Sequence, residues 1–244
     1  MSVLAELDPD VAYPATETVP ESSLHSLVRF LAFGALRAHF AGRAGCYVGH
    51  DFNVYYRPLP APAFVAPDVF VCFGVDPGRL ELAASYRLWD AGAPPSFVLE
   101  IASEKTYKND LDGKPAVYLE MGVDEYWRLD PTGGEFYTPA LQGDRRVGDA
   151  WAPIAVSPDD DDGGGLRGHS AVLGLDLRAE IHRLHFHDPA SGAWLPDPDD
   201  TRRTLDEIRH ERDAAEARAE AEAAARRAAE AELAALRARL NDQT

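Results

Sequence analysis

The stretch Phe97-Val-Leu-Glu-Ile constrains this chain more than any other, because it is a compact apolar strand with one carboxylate inside it. A charge in the middle of such a strand is costly unless it is paired or bound to a metal. The neighbours and next-neighbours of Glu100 are all apolar or small, so this acid has no polar face to occupy. A second short apolar run, Val69 to Phe73, suits a buried strand, and Asp68 immediately precedes it in the dipeptide Pro67-Asp68. Two carboxylates brought together on adjacent strands repel each other, and a divalent cation relieves that repulsion. Mg²⁺ takes hard oxygen ligands and keeps several waters, one of which can be deprotonated to attack phosphorus. An ion pair with a buried arginine or lysine satisfies the same carboxylates without any metal, and the residues alone leave both readings open. A cation would complete a hydrolytic site by orienting water or stabilising the pentavalent transition state. Lys105, Lys108 and Lys114 lie downstream, the last at the mouth of a short helix in Asp110-Leu-Asp-Gly-Lys-Pro-Ala-Val-Tyr. Ordinary exposure is the commonest fate of a lysine.

The rest of the chain supplies a frame for these residues. The first twenty residues, rich in Pro, Glu and Asp, read as an extended arm. Leu24, Leu27, Val28, Leu31, Leu36 and Phe40 recur at helical spacing from Ser22 to Phe40, with Ser22 or Ser23 as cap and Gly42 and Gly45 beyond the end. Cys46 to Arg57 reads as strand, closed by Pro58-Leu-Pro-Ala-Pro. Residues 74–95 read as a long connection with little regular structure. Ser96–Ala102 is a strand, and Lys114–Met121 is a helix with Pro115 in its first turn and Gly122 at its C-terminal cap. Glu125–Leu129 is another strand, and Asp130-Pro-Thr-Gly-Gly is a hairpin turn leading into Glu135-Phe-Tyr. The acidic run from Asp159 to Gly165 reads as a solvated surface loop without calcium-ligand spacing, and Leu173 to Leu184 closes the body.

Past a linker at 196–200 the composition changes to Ala, Glu, Arg and Leu, with no Gly or Pro from 201 to 244. Leu205, Ile208, Leu233, Leu236 and Leu240 make the ends of a heptad seam apolar, while its middle is alanine and charge. This tail is expected to be a helical coiled coil, and it could pair protomers or stand alone on its i,i+4 ion pairs.

The net charge is −17, and the tail from Asp199 carries twelve acids against nine bases, which leaves −14 on the body. A broad basic footprint for a polyanion is therefore absent. No apolar run approaches the ~20 residues needed to cross a bilayer, and the acidic start MSVLAELDPD lacks the pattern of a secretory signal. Cys46 and Cys72 read as reduced core residues. A cytoplasmic protein is the expectation.

The ordered set Pro67-Asp68-Val, Val98-Leu-Glu100-Ile-Ala-Ser103, Thr106, Asp110, Lys114 with Tyr118, Gly122-Val-Asp-Glu125-Tyr126-Trp127 and Asp130-Pro131 resembles the Uma-two family. These are restriction endonucleases of the PD-(D/E)XK nuclease superfamily, and the resemblance runs over roughly residues 17–185. It implies an α/β fold, restriction-endonuclease-like, with a central mixed β-sheet flanked by helices over residues 21–195. It implies Mg²⁺ or Mn²⁺ held by Asp68, Glu100 and the backbone carbonyl of Ile101. The superfamily lysine, two positions after the acid, would fall at Ala102. The resemblance carries its role to Lys114, with Lys105 in reserve. Asp110 and Tyr118 match family positions of unclear role, and Glu21 is the nearest candidate for an additional acid at the first helix.

Other residues read as structural. Trp127 and Tyr126 belong to core or sheet packing rather than base stacking. His182, His185 and His187 fall within six residues, but their spacing does not put all three on one helical face, and no acid or cysteine completes a set. Two functions follow from the whole. One is a Mg²⁺-dependent endonuclease cutting DNA, expected to pair as a homodimer through the fold or the C-terminal helix. The other is a non-catalytic binding or scaffold protein that keeps the nuclease fold and assembles through its coiled coil.

Overall fold

The computed structural model describes residues 23–159 and 164–196. The extended arm, Glu21, the centre of the acidic run, the linker beyond its first residue and the coiled-coil tail lie outside the described residues. The described chain begins with α1 (Ser23–His39), whose Val28, Leu31, Ala32, Ala35 and Leu36 are buried. These positions recur at three- and four-residue intervals and make one apolar stripe.

The strands and helices that follow are β1 (Cys46–His50), β2 (Val54–Arg57), β3 (Ala63–Val65), β4 (Val69–Phe73), α2 (Pro77–Glu81), β5 (Tyr86–Arg87), α3 (Leu88–Ala91) and β6 (Phe97–Ile101). Then come α4 (Tyr107–Asp112), α5 (Lys114–Met121), β7 (Glu125–Leu129), β8 (Leu141–Val147), β9 (Ala150–Pro153), β10 (Val156–Pro158), β11 (Leu166–Ser170), β12 (Leu175–Glu180), β13 (Arg183–Asp188) and β14 (Ala193–Trp194). The fold is α/β, with a central mixed sheet of order β1-β4-β6-β7-β8-β9. Within it β6 and β7 run parallel, and the other neighbours are antiparallel. Parallel neighbours need a crossover connection, and α4 and α5 provide it.

Alternation along the strands sends residues to two cores. Val69, Val71, Phe97, Leu99, Ile101, Trp127 and Leu129 face α1 and the second sheet, β10-β11-β12-β13-β14. Phe70, Cys72, Val98 and Tyr126 face the other way, against Tyr118 and Met121 of α5 and Tyr86 of β5. Helices thus flank both faces of the central sheet. Trp127 lies in the first core, where Gly143 of β8 and Gly168 of β11 leave room for its indole. A Cβ added at either glycine would come within 2.8 Å of that ring. The indole N–H donates to Glu125 Oε2 at 3.0 Å, and Ser170 Oγ donates to the same oxygen at 2.5 Å, which ties the two sheets together.

Three local expectations are corrected. Cys46 to Arg57 is not one strand: Asp51 has φ 45°, a left-handed turn that diverts the chain from the central sheet into a separate three-stranded sheet, β3-β2-β5. Residues 74–95 contain α2, β5 and α3, with Asp76 Oδ1 accepting from Gly78 N–H at 3.1 Å to cap α2. The partner strand of β7 starts at Leu141 rather than Glu135. The Asp130 carboxylate accepts from the backbone N–H groups of Thr132, Phe136 and Tyr137, which folds the intervening residues into a compact loop. Trp127 and Tyr126 are fully buried, as core packing requires. Among the described residues, no helix is long and apolar enough to cross a membrane.

Candidate active site

The register of β4 against β6 pairs Val69 with Leu99 and Phe70 with Val98. Continued by one residue, it sets Asp68 opposite Glu100. Directly opposed residues of an antiparallel pair have Cβ atoms about 5 Å apart, so the two carboxylates share one end of the sheet. The Ile101 N–H donates to Asp68 Oδ2 at 2.7 Å, which fixes Asp68 against the end of β6. Ile101 itself is fully buried as the last residue of β6.

Lys114 enters from the start of α5. Its Nζ lies 2.8 Å from Glu100 Oε2 and 2.8 Å from Asp110 Oδ1. Glu100 and Asp110 are each 1% exposed, so the ammonium serves two buried acids at once. Tyr118, one turn further along α5, donates its hydroxyl to Glu100 Oε1. Tyr126 of β7 donates to the backbone carbonyl of Asp110 at 2.7 Å and so anchors α4. From the opposite side, His25 of α1 brings Nε2 within 3.1 Å of Asp68 Oδ2. Arg29, one turn on, has Nη1 3.6 Å from Asp51 Oδ1 and 3.9 Å from Asp68 Oδ1.

Of the residues singled out from sequence, Asp68, Glu100, Ile101, Asp110 and Lys114 come together. Lys105 does not join them: it is exposed in the turn before α4. Ala102, in the slot of the superfamily lysine, is 2% exposed and donates its N–H to the Leu129 carbonyl. His25, Arg29 and the role of Tyr118 were not read from sequence. His25 lies forty-three residues from its partner, and only the packing of α1 on the sheet unites them. The histidines near the C-terminal end of the body are elsewhere. His187 Nδ1 lies 3.3 Å from Asp176 Oδ2 and Arg167 Nη2 donates to that oxygen at 2.7 Å, an ion-pair network on the second sheet.

The electrostatics are those of a buried, acid-rich cluster. Burial and the neighbouring Asp68 and Asp110 push Glu100 up to about 8, against the opposing pull of Lys114. Burial also raises Asp110, again opposed by Lys114. Asp68 goes the other way: burial would raise it, but the hydrogen bond and charge of His25, the charge of Lys114 and the Ile101 N–H hold it below the usual range. Burial would lower Lys114, and the charges of Glu100, Asp110 and Asp68 outweigh it, so the ammonium stays protonated.

Asp68, Glu100 and Asp110 share Lys114, His25 and Arg29 as cationic neighbours, yet Glu100 is still pushed up to about 8, and a divalent cation at these oxygens would favour its charged form. Among the described residues, no three His, Cys, Asp or Glu side chains form a ready-made metal cluster. The donors fit Mg²⁺ or Mn²⁺ nonetheless. Such ions take one or two carboxylates and fill the remaining positions with water and substrate oxygens, and Asp68, Glu100 and the Ile101 carbonyl are hard oxygen donors.

The central mixed sheet thus gathers Asp68, Glu100, Asp110 and Lys114 at one end of two adjacent strands. The family model described as "Uma2: Putative restriction endonuclease" matches residues 8–174, and the chain belongs to that family. Among solved structures it is similar to "a putative nuclease belonging to DUF820" from Anabaena variabilis. The two are 13% identical, with a TM-score of 0.41 over 58% of this chain and 74% of that one. No curated protein matches the chain.

Proposed function

We propose that this chain is a divalent-metal-dependent endonuclease that hydrolyses phosphodiester bonds of DNA, with Asp68, Glu100 and Lys114 as its catalytic residues. The observation that carries this reading is the single ammonium of Lys114 held 2.8 Å from each of two buried carboxylates. Asp68, Glu100 and the Ile101 carbonyl would hold Mg²⁺ or Mn²⁺. When bound, the ion supplies Lewis acidity toward a phosphoryl oxygen and lowers the pKa of water. Lys114, kept charged by its acidic neighbours, presents a fixed cation to the negative charge that develops on the scissile phosphate. Asp110 and Tyr118 act on position: Asp110 steers the ammonium, and the Tyr118 hydroxyl holds one oxygen of Glu100 so that the other is left to Lys114. His25 and the Ile101 N–H fix Asp68 in the same way. Glu21 as an additional acid and Lys105 as a reserve lysine keep the auxiliary places that the family resemblance gives them. Pairing of protomers, through the fold or the C-terminal helix, would let two such sites act on two strands.

The test is cleavage of single-stranded, double-stranded and branched DNA, and of RNA, with Mg²⁺ and Mn²⁺. Glu100→Gln is expected to abolish metal-dependent cleavage while circular dichroism shows an intact fold. Unchanged cleavage by that variant rules out the assignment.

Ala102 in the superfamily's lysine slot and the −14 charge of the body favour a second reading, a scaffold that keeps the fold without catalysis. Calorimetric Mn²⁺ titration separates the two. Binding that Asp68→Asn abolishes supports the enzyme, and no binding in either protein supports the scaffold.

A further inference from the structure

Strand β1 is an outer edge of the central sheet, and a groove of about 850 Å³ runs along it. In a body with so few bases, this groove gathers two arginines among aromatic rings. The Arg37 guanidinium lies 5.7 Å from the centroid of Phe33. Arg43 lies 5.4 Å from Phe40 and 4.5 Å from Phe73. Neither arginine is paired with a carboxylate among the described residues, whereas Arg57, Arg87, Arg128 and Arg146 all are. Tyr47 and Phe52, both half-buried, add two more rings to the lining. Glu81 is its one acid.

The groove has a direction. From Cys46 to His50 the strand advances four residues, about 13 Å, and His50 pairs in register with Val69, the residue after Asp68. Asp51 follows His50 and contacts Arg29, which reaches toward Asp68 Oδ1. One end of the groove therefore lies at Arg43 and the other beside the carboxylate cluster.

We propose that this groove binds a single strand of nucleic acid, with Arg37 and Arg43 on its phosphates and unstacked bases against the aromatic rings. The inference rests on the nuclease reading for its purpose but not for its test. Rings with arginine beside them suit bases that are free to leave a stack, and stacking of this kind tolerates any sequence. A duplex keeps its bases paired inside and offers the groove only its backbone. The charge of −14 on the body disfavours holding a duplex by charge alone.

The experiment is fluorescence anisotropy of the full chain with fluorescein-labelled oligothymidylate, oligouridylate and a DNA duplex, in EDTA so that neither metal nor cleavage intervenes. The expected result is tighter binding of single strands than of duplex, with a log–log salt slope of about −1.4 for two phosphate contacts. Arg37→Ala/Arg43→Ala is expected to weaken binding at least about tenfold, and Arg37→Lys/Arg43→Lys to recover part of it. Both arginines are exposed, and circular dichroism checks that the variants fold. Three outcomes overturn the proposal: wild-type affinity in the double alanine variant, a preference for duplex, or no binding by wild type. A fourth is sedimentation showing that the groove variants abolish self-association instead, which would make β1 a protein–protein edge. Cleavage of the same oligonucleotides with Mn²⁺ is scored separately. Arginine-dependent binding without cleavage defeats the nuclease reading alone, and cleavage unaffected by the arginine variants defeats the groove alone.

Discussion

Lys114 and Glu100 form a buried ion pair, Nζ to Oε2 at 2.8 Å, that joins the first residue of α5 to the penultimate residue of β6. The same ammonium meets Asp110, so its removal strands two acids at once. Lys114→Met is nearly matched in volume and keeps the apolar stem, which isolates the loss of charge. In EDTA at pH 9 it should destabilise the fold by about 3–5 kcal/mol, as expected when one partner of a buried pair is deleted. At pH 6 Glu100, pushed up to about 8, takes up a proton and the cost should shrink. Equal urea midpoints for variant and wild type at pH 9 would show that the pair is not what holds these acids.

The raised pKa of Glu100 gives stability a definite slope with pH. Asp68, Asp110, Lys114 and the hydroxyls of Tyr118 and Tyr126 surround it. A carboxyl lifted from an ordinary value of 4.5 to about 8 binds more protons in the folded chain than in the unfolded one across that window. Its stabilising contribution is complete below about 4.5 and is lost as the pH climbs to about 8. Asp110 is shifted in the same sense. Urea unfolding of metal-free protein should therefore show stability falling between pH 5 and 8, with Glu100 adding at most about 1.4 kcal/mol per pH unit. Glu100→Gln should flatten the slope, and a variant as steep as wild type would contradict it.

Tyr118→Phe removes one hydroxyl from a fully buried ring and leaves Glu100 Oε1 without its donor. An orphaned buried acceptor costs about 1–3 kcal/mol. The penalty should be larger at pH 9, where the carboxylate is charged, than at pH 6. A penalty independent of pH would mean that the hydroxyl serves packing and not the carboxylate.

Much of the frame was legible because it rests on local signals. Val69–Phe73 and Phe97–Ile101 are short apolar runs that admit one structure once they are buried, and Gly122, with φ 85°, ends α5 where a C-terminal cap belongs. The pairing of Asp68 with Glu100 followed from each acid's strand context. Lys114 came from resemblance, since spacing alone could not choose it over Lys105; its choice over Lys105 has a geometric counterpart in its contacts with Glu100 and Asp110. His25 carried no such signal, because a histidine on the buried face of a helix looks the same whether it meets an acid or a leucine. The break at Asp51 was hidden for a related reason. A non-glycine residue with positive φ is uncommon, so the β-branched and aromatic run around it read as one strand.

His25 offers the sharpest test of how Asp68 is kept ionised. Burial alone would raise that carboxyl, and the hydrogen bond from His25 is the largest influence opposing it. Because Asp68 sits below its ordinary value, its contribution to stability is present above about pH 4 and is lost as the pH falls through the folded value. His25→Leu fills similar space without a donor, so it should move the acid-unfolding transition to higher pH and cost about 1–3 kcal/mol near neutrality. His25→Gln keeps a donor without the positive charge and should fall between the two. The measurement is circular dichroism along a pH titration from 7 to 2 in metal-free buffer. If His25→Leu unfolds at the same pH as wild type, the Ile101 N–H and Lys114 suffice to hold Asp68, and the histidine belongs to the packing of α1 alone.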